Sequence, residues 1–252
     1  MKVYISSAAG KNKTDSEDRT LAGQQVYLEG NHAIEIESGY VALADGVGGN
    51  NAGAVAAFNI CKGTAALSEP TVEGFQALNN QLIQKSIDHE GFRKMATTLS
   101  GIYFTKGKAP LCFHVGNTRI YAIQAKQYLK QLTEDDTVVN YLVKTGKLRE
   151  EEAATYPARN EITACFGGGS TALLKMKLFY TDLHCQQYLL TCDGIHDTLS
   201  IDSMEDVLER CNGNWEQVTE NLIQTAQESG SNDDCTAVII DCSEEEKNGL
   251  EI

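Results

Sequence analysis

The stretch Tyr40-Val41-Ala42-Leu43-Ala44-Asp45-Gly46-Val47-Gly48-Gly49 combines an apolar run, an acidic residue and a glycine-rich turn. The apolar run predicts a buried strand, and the Asp-Gly pair that follows predicts a turn. From about Asn51 to Leu67 the chain is rich in Ala, Val, Phe and Ile and has almost no polar face, which predicts a buried helix. A carboxylate therefore stands at the junction of a core strand and a core helix.

Two more acidic residues lie at the ends of predicted strands. Asp193 follows the apolar run Tyr188–Cys192, and Asp233 precedes the run Cys235–Ile240. Carboxylates at the ends of neighbouring core strands can converge on one edge, where their repulsion favours bound cations. Oxygen ligands without a His/Cys cluster at metal spacing favour Mg²⁺ or Mn²⁺ over Zn²⁺. Taken singly, however, an Asp-Gly pair is better explained as a turn than as a ligand.

The remaining strand patterns form groups joined by turn residues. Three short strands are expected to form an antiparallel meander: Gln25–Leu28, Ala33–Glu37 and Tyr40–Ala44. Leu111–Val115 and Arg119–Ile123 are expected to pair as a hairpin about the turn Gly116-Asn117. A strand is also predicted over Ala172–Phe179.

Helical patterns lie between these groups of strands. Thr71 is a candidate N-cap for a helix with one apolar side, formed by Phe75, Leu78, Leu82, Ile83 and Ile87. Further helices are predicted from Asp136-Thr137 to Gly146 and around Trp215. Because helices come in pairs between groups of strands, the pattern favours an α+β fold over a doubly wound parallel sheet.

Composition and charge exclude several classes of protein. The 252 residues include 21 Lys and Arg against 35 Asp and Glu, a net charge of −14 that repels nucleic acid and anionic lipid. No stretch approaches the roughly 20 apolar residues of a membrane helix, and no secretion signal develops at the N-terminus. The 8 cysteines form no CxxC pair and indicate reduced thiols, although their even number leaves a disulfide framework open. We expect a cytoplasmic protein that binds neither nucleic acid nor membrane.

The chain shows no internal repeat and no low-complexity linker. Residues 1–242 are therefore predicted to form one domain, with an irregular segment at about 137–169 acting as a flap. Residues 243–252 form an acidic tail that is expected to fray. No oligomerisation heptad is visible, so we expect a monomer.

Acidic, glycine-rich and polar motifs recur along the chain in one order. They are Ser16-Glu17-Asp18, Asp45–Gly49, Met95–Leu99, His114–Arg119, Leu132–Thr137, Asp193–Asp197 and Asp233–Thr236. In this order and spacing the sequence resembles the metal-dependent type 2C Ser/Thr protein phosphatases (the PPM family), in particular bacterial members. The resemblance runs from about Ser6 to Asp241.

The resemblance implies a four-layer α-β-β-α sandwich with two antiparallel sheets, flanking helix pairs and a flap. It also implies a centre of two Mn²⁺ or Mg²⁺ ions at one end of the sheets. The implied ligands and water-holding residues are Asp45, the Gly46 carbonyl, Asp193, Asp233, Glu17 and Asp18. A hydroxide bridging the two ions would attack phosphoserine or phosphothreonine in line. The implied partners are phosphoprotein substrates and an opposing Ser/Thr kinase.

The sequence departs from the family pattern at several positions. Lys13 stands where the family often has a phosphate-gripping Arg, and an ammonium loses the bidentate fork. Asn117 replaces an Asp that, together with Asp197, would bind a third metal, so that site is expected to be weak or absent. Asp234 replaces an Asn, and its charge could tighten metal binding or repel phosphate. No general acid is assigned, and His196 is better explained by packing.

Two other functions stay open from the sequence. Lys13 and Asn117 are compatible with a pseudophosphatase that binds phosphoproteins or regulates a kinase without hydrolysis. Intact Asp45, Gly46, Asp193 and Asp233 argue against that alternative. A metallohydrolase acting on small phosphoesters would share the same site and differ only in its substrate.

Overall fold

The computed structural model describes residues 1–48, 52–92, 94–153, 155–169 and 173–243. Its strands form two large antiparallel sheets of six strands each and one small sheet. The first sheet contains β1 (Lys2–Ala8), β4 (Gly30–Glu35), β10 (Arg119–Gln124), β11 (Tyr128–Gln131), β14 (Gln187–Thr191) and β15 (Cys235–Asp241). The second contains β2 (Arg19–Ala22), β3 (Gln25–Tyr27), β5 (Gly39–Ala44), β8 (Leu99–Phe104), β9 (Leu111–Val115) and β13 (Lys177–Tyr180). The small sheet contains β6 (Gly46–Val47), β7 (Ala96–Thr97) and β12 (Phe166–Gly167).

The strand order is β11-β10-β14-β15-β1-β4 in the first sheet and β13-β9-β8-β5-β2-β3 in the second. The small sheet has the order β12-β7-β6. The helices are α1 (Ala52–Ala65), α2 (Val72–Asp88), α3 (Val138–Lys144), α4 (Glu150–Ala153), α5 (Asp193–His196), α6 (Ile201–Cys211) and α7 (Trp215–Glu228).

The two large sheets stack face to face, and each is covered by helices on its outer face. In β5, Ala42 packs with α1 and α2, whereas Leu43 packs into the core between the sheets. In β15, Ile239 packs with α6 and α7, and Ile240 packs between the sheets. Successive residues of a strand face opposite sides, so strands buried on both faces are apolar at nearly every position. The predicted α+β, four-layer α-β-β-α sandwich is confirmed.

The two helices predicted after the glycine-rich turn are present. α1 is largely buried, as predicted, although Phe58 is 40% exposed. Thr71 caps α2, because its hydroxyl accepts a hydrogen bond of 3.0 Å from the Gly74 N–H. The prediction for Ile87 is wrong: this side chain lies in the last turn of α2 and is 69% exposed.

The pairing of the early strands differs from the predicted meander. β4 pairs with β1 in the first sheet, whereas β3 and β5 both pair with β2 in the second. The meander prediction treated sequence neighbours as spatial neighbours. The N-terminal strand β1, which the pattern did not single out, takes β4 as its partner. The predicted strand over Ala172–Phe179 begins only at Lys177, and position 172 lies outside the described residues.

The predicted hairpin of β9 and β10 is also wrong. β9 pairs with β8 and β13, and β10 pairs with β11 and β14, so the two strands lie in different sheets. Gly116 starts the crossing with a φ of +106°, and a Cβ there would lie 2.5 Å from Thr98 Cγ2. This crossing places Asn117 between the sheets at the end where Asp45 and Asp193 lie.

The segment 137–169 contains α3, α4 and the edge strand β12. Thr137 and Ile162 form an isolated β-bridge that closes the base of the segment. Asp136 supports the same base, since its carboxylate accepts hydrogen bonds from Gly116 N and Lys177 Nζ. None of the described helices combines the length and apolarity that spanning a bilayer requires.

Candidate metal centre

Three carboxylates lie where strands of the two large sheets end. Asp45 directly follows β5, Asp193 lies just after β14, and Asp233 lies just before β15. Because β14 and β15 are antiparallel, the end of one lies beside the start of the other. Burial, followed by repulsion from Asp193 and Asp18, holds the pKa of Asp45 well above its usual range. The structure therefore brings the three strand-end residues to one site.

Asp45 is held in place through its backbone. Its N–H donates to Thr98 Oγ1 over 3.0 Å, and its carbonyl oxygen accepts from Thr97 Oγ1 over 2.8 Å and from Thr98 N over 2.9 Å. These three bonds leave the Asp45 carboxylate available to the site.

Gly46 and Gly53 allow α1 to begin directly against the strand end. A Cβ on Gly46 would lie 2.4 Å from the carbonyl carbon of Gly53 and 2.7 Å from the carbonyl oxygen of Glu17. A Cβ on Gly53 would lie 2.8 Å from Glu17 Oε1. Only glycine fits at either position, because backbone atoms occupy the space of a side chain. The close approach packs the backbone of Gly46 against Gly53 and Glu17.

Glu17 and Asp18 carry buried oxygens without hydrogen-bond partners. Both carboxylate oxygens of Asp18 and Oε1 of Glu17 are buried and accept no hydrogen bond. Burial raises the pKa of Asp18 to about 7, although interactions with Thr236 and Cys192 oppose the shift. Buried carboxylate oxygens without partners are costly, so these groups call for a cation or ordered water.

Lys13 lies within this group of acids. Its Nζ donates to Asp234 Oδ2 over 2.8 Å and to Asp233 Oδ1 over 3.0 Å, and it lies 3.9 Å from Glu17 Oε2. Burial opposes the charge of Lys13, but these carboxylates outweigh it and raise its pKa. Lys13 is thus positioned at the site, with two of its three N–H donors engaged by protein carboxylates.

Asn117 and Asp197 frame the other side of the centre. Asn117 Nδ2 donates to Asp193 Oδ2 over 2.9 Å. Burial and the neighbouring Asp233 raise the pKa of Asp193 to about 6. Burial also raises the pKa of Asp197, while Arg119 and Arg159 oppose that shift. The predicted third-site pair thus consists of a neutral amide and one carboxylate.

The donors suit hard divalent cations. They are carboxylate and carbonyl oxygens, several of them buried without hydrogen-bond partners, and burial together with mutual repulsion raises the pKa values of Asp18, Asp45 and Asp193 in the metal-free protein. In the described part of the chain, no three His, Cys, Asp or Glu side chains already stand in ligand geometry. The oxygen donors fit the implied ions in chemistry, and the residues that carry them lie at one end of the two sheets.

His196 does not reach the site as a proton donor. Its ring is buried, with Nδ1 at 2.7 Å from Thr191 Oγ1, and burial lowers its pKa well below the usual range. A buried neutral imidazole bonded to a core hydroxyl packs the fold, as the sequence indicated.

A cleft of about 420 Å³ opens beside the centre. Asp193, Asp197 and Asp233 line one part of it, and Arg159 and Asn160 line another. The sequence did not single out Arg159, because an arginine in an irregular segment has no periodicity that places it. Only the packing of segment 137–169 brings this cation to the cleft.

Comparison with known proteins agrees with this architecture, although no family model matches the sequence. Protein phosphatase PhpP of Streptococcus pneumoniae is 26% identical over 259 residues, covering 98% of this chain and 99% of PhpP. Serine/threonine protein phosphatase PstP of Mycobacterium tuberculosis is 29% identical over 248 residues, covering 93% of this chain and 44% of PstP.

Solved structures show the same fold. A crystal structure of Mycobacterium tuberculosis PstP/Ppp superposes with a TM-score of 0.78 at 26% identity, covering 96% of this chain and 99% of that one. The PstP catalytic domain in complex with two manganese ions gives a TM-score of 0.74 at 26% identity, again covering 96% and 99%. The fold is that of these Ser/Thr phosphatases, and acidic residues lie at one end of its two sheets. This chain is a homologue of the bacterial type 2C Ser/Thr phosphatases, and the resemblance drawn from its motifs is confirmed.

Proposed function

We propose that this protein is a metal-dependent protein phosphatase that hydrolyses phosphoserine and phosphothreonine on proteins. The observation that carries the proposal is the group of mutually repelling carboxylates formed by buried Asp18 and half-buried Asp45 and Asp193 at one end of a PPM-type sandwich. A purely structural acidic group would be satisfied by hydrogen bonds within the protein, whereas both oxygens of Asp18 lack a hydrogen-bond partner and are only approached by Thr236 and Cys192.

The residues that would hold two Mn²⁺ or Mg²⁺ ions are Asp45, the Gly46 carbonyl, Asp193 and Asp233. Bound divalent ions would supply positive charge for the phosphoryl group and make water acidic enough to act as a nucleophile near neutral pH. Glu17 and Asp18 would orient water through their unpartnered oxygens. Because Asn117 offers an amide instead of a carboxylate, we propose two ions and a weak or absent third site.

Recognition of the phosphate falls to two cations, Lys13 beside the carboxylates and Arg159 in the cleft. Lys13 has one N–H donor left for a substrate oxygen after its bonds to Asp233 and Asp234. Arg159 lines the cleft from segment 137–169 and can present a planar fork. His196 is unavailable, so the proton for the leaving group would come from water.

Hydrolysis by the purified protein tests this function. We expect turnover of para-nitrophenyl phosphate and of a phosphothreonine peptide with Mn²⁺, loss with EDTA, and loss in Asp193→Ala. Asp182→Ala, an exposed carboxylate at the other end of the sheets, is the matched control and should retain activity. Bound Mn²⁺ without any turnover would overturn the proposal and favour the pseudophosphatase.

Homology to named Ser/Thr phosphatases over nearly the whole chain supports the enzyme over the pseudophosphatase. Phosphoprotein substrates follow from that activity. We further propose an opposing Ser/Thr kinase, a monomeric cytoplasmic protein, and one catalytic domain over residues 1–242 with a flap at 137–169. The predicted tail at 243–252 lies, from residue 244 on, outside the described residues.

A further inference from the structure

Asp234 accepts three hydrogen bonds from a single segment of the chain. Gly10 N donates to its Oδ1 over 2.8 Å, and Glu17 N and Lys13 Nζ each donate to its Oδ2 over 2.8 Å. The residue is buried, with only 4% of its surface exposed. One carboxylate thus ties both ends and the middle of segment 10–17 to the start of β15.

The chemistry of these bonds requires a carboxylate. All three partners are donors, and two of them converge on the same oxygen. An asparagine at this position would present an NH₂ group to at least one N–H, and two donors cannot bond to each other. The negative charge of Asp234 is balanced by the Lys13 ammonium, so the ion pair carries no net charge.

The backbone of the segment rests directly on the turn that carries Asp234. A Cβ on Gly10 would lie 2.5 Å from the carbonyl oxygen of Asn232 and 2.9 Å from the carbonyl carbon of Asp233. By contrast, Glu17 Oε1 and both carboxylate oxygens of Asp18 have no partner. The position of those two carboxylates therefore depends on how their backbone is held.

We propose that Asp234 is a positioning residue that, paired with Lys13, holds segment 10–17 so that Glu17 and Asp18 face Asp233 and the metal centre. This inference rests on the proposed function for its effect on turnover, but not for its effect on the segment. The two departures from the family pattern, Lys13 and Asp234, then act as one unit. The carboxylate of Asp234 therefore acts neither as a metal ligand nor as a charge that repels phosphate.

Hydrogen exchange and metal titration of the Asp234→Asn variant test the inference. In EDTA, we expect faster amide exchange over residues 10–18 than in the wild type, with exchange in β15 unchanged. Calorimetry should show Mn²⁺ affinity lower by about 10-fold, the range typical for losing an outer-shell partner. For the phosphatase, kcat should fall more than KM rises, because misplaced carboxylates act on the reaction and not on substrate docking.

Asp241→Asn is the matched control. Asp241 lies at the opposite end of β15 and also accepts three hydrogen bonds, from Gln187 Nε2 at 3.0 Å, Trp215 Nε1 at 3.1 Å and Ser243 N at 3.1 Å. We expect it to lower the melting temperature while leaving Mn²⁺ affinity and exchange over 10–18 unchanged. If the Asp234→Asn variant shows the same amide exchange over residues 10–18 and the same Mn²⁺ affinity as the wild type, the inference is overturned.

Lys13→Met keeps the inference testable if Asp234→Asn does not fold. The Lys13 side chain is 36% exposed, so this substitution disturbs little packing. Exchange over residues 10–18 in EDTA should again rise, and unchanged exchange would count against the pairing. Amide exchange in EDTA does not depend on turnover. A wild-type protein without phosphatase activity would therefore contradict the proposed function without contradicting this inference.

Discussion

The side-chain amide of Asn117 donates a hydrogen bond of 2.9 Å to Oδ2 of Asp193. Asn117 lies in the crossing between β9 of the second sheet and β10 of the first, and Asp193 begins α5. The bond thus joins the connection between the sheets to the end of β14. A neutral donor satisfies one oxygen of a carboxylate whose pKa is raised to about 6 by burial and by Asp233.

Asn117→Asp is expected to destabilise the metal-free protein by about 1–3 kcal/mol, because it removes this bond and adds a charge to an acidic group. With excess Mn²⁺ the loss should shrink, since the new carboxylate is a better ligand for a hard cation. Thermal unfolding in EDTA and in Mn²⁺ measures both effects. Asn117→Ala, which removes the bond without adding charge, is the control. Equal stability of Asn117→Asp and the wild type in EDTA would contradict this account.

The raised pKa of Asp18 predicts that the stability of the metal-free protein depends on pH. Burial raises its pKa from the ordinary 3.8 to about 7, so the folded state binds the proton more tightly than the unfolded state. The stability from this proton is complete below 3.8 and is lost as the pH rises through about 7. The melting temperature in EDTA should therefore fall across that window, while Mn²⁺ should protect increasingly as the pH rises.

Asp18→Asn removes the titrating group. At the alkaline end of the window, this variant should melt at a higher temperature than the wild type in EDTA, because it buries one unpartnered charge fewer. It should also gain less stability from Mn²⁺. A variant whose melting temperature in EDTA follows the same pH profile as the wild type would show that Asp18 does not carry the effect.

Arg159 is expected to contribute to substrate binding. Its position on the cleft suggests that Arg159→Ala raises KM for a phosphothreonine peptide about tenfold, equivalent to about 1.4 kcal/mol, with little change in kcat or melting temperature. Arg159→Lys should recover part of the loss through charge alone. Arg149→Ala is the control, since that arginine also lies in segment 137–169 and pairs with Glu152 at 2.8 Å, but does not line the cleft. Equal KM values for Arg159→Ala and Arg149→Ala would rule out a binding role.

Gly53→Ala should destabilise the protein by about 1–3 kcal/mol even though alanine favours helices. Its Cβ would lie 2.5 Å from the carbonyl carbon of Gly46 and 2.8 Å from Glu17 Oε1, so α1 would have to move away from the centre. Denaturant unfolding measures the loss, and titration should show weaker Mn²⁺ binding. In the same helix, the Cβ of Gly63→Ala would contact only the flexible side chain of Leu78. The free energy of unfolding of this control should stay within about 1 kcal/mol of the wild type. If both variants unfold alike, the close approach of Gly53 to Gly46 is unimportant.

Much of the fold was predictable from local pattern. The apolar strand that ends just before Asp45, the buried α1 and the Thr71 cap of α2 all follow from periodicity and capping. Strand pairing was not predictable in the same way, since β9 and β10 are apolar on both faces and their pattern accepts several partners. The convergence of Asp45, Asp193 and Asp233 was predictable because ends of core strands share edges.

The sequence by itself determined the residue types at the centre, their order, and the layers of strands and helices that carry them. These follow from short-range physics: apolar periodicity, turn chemistry and capping act within a few residues. Tertiary structure alone decided that Lys13 binds Asp233 and Asp234, that Asn117 reaches Asp193, and that Arg159 lines the cleft. Each of those relationships joins residues far apart in the chain, and a hydrogen bond between distant residues depends on the packing of whole sheets.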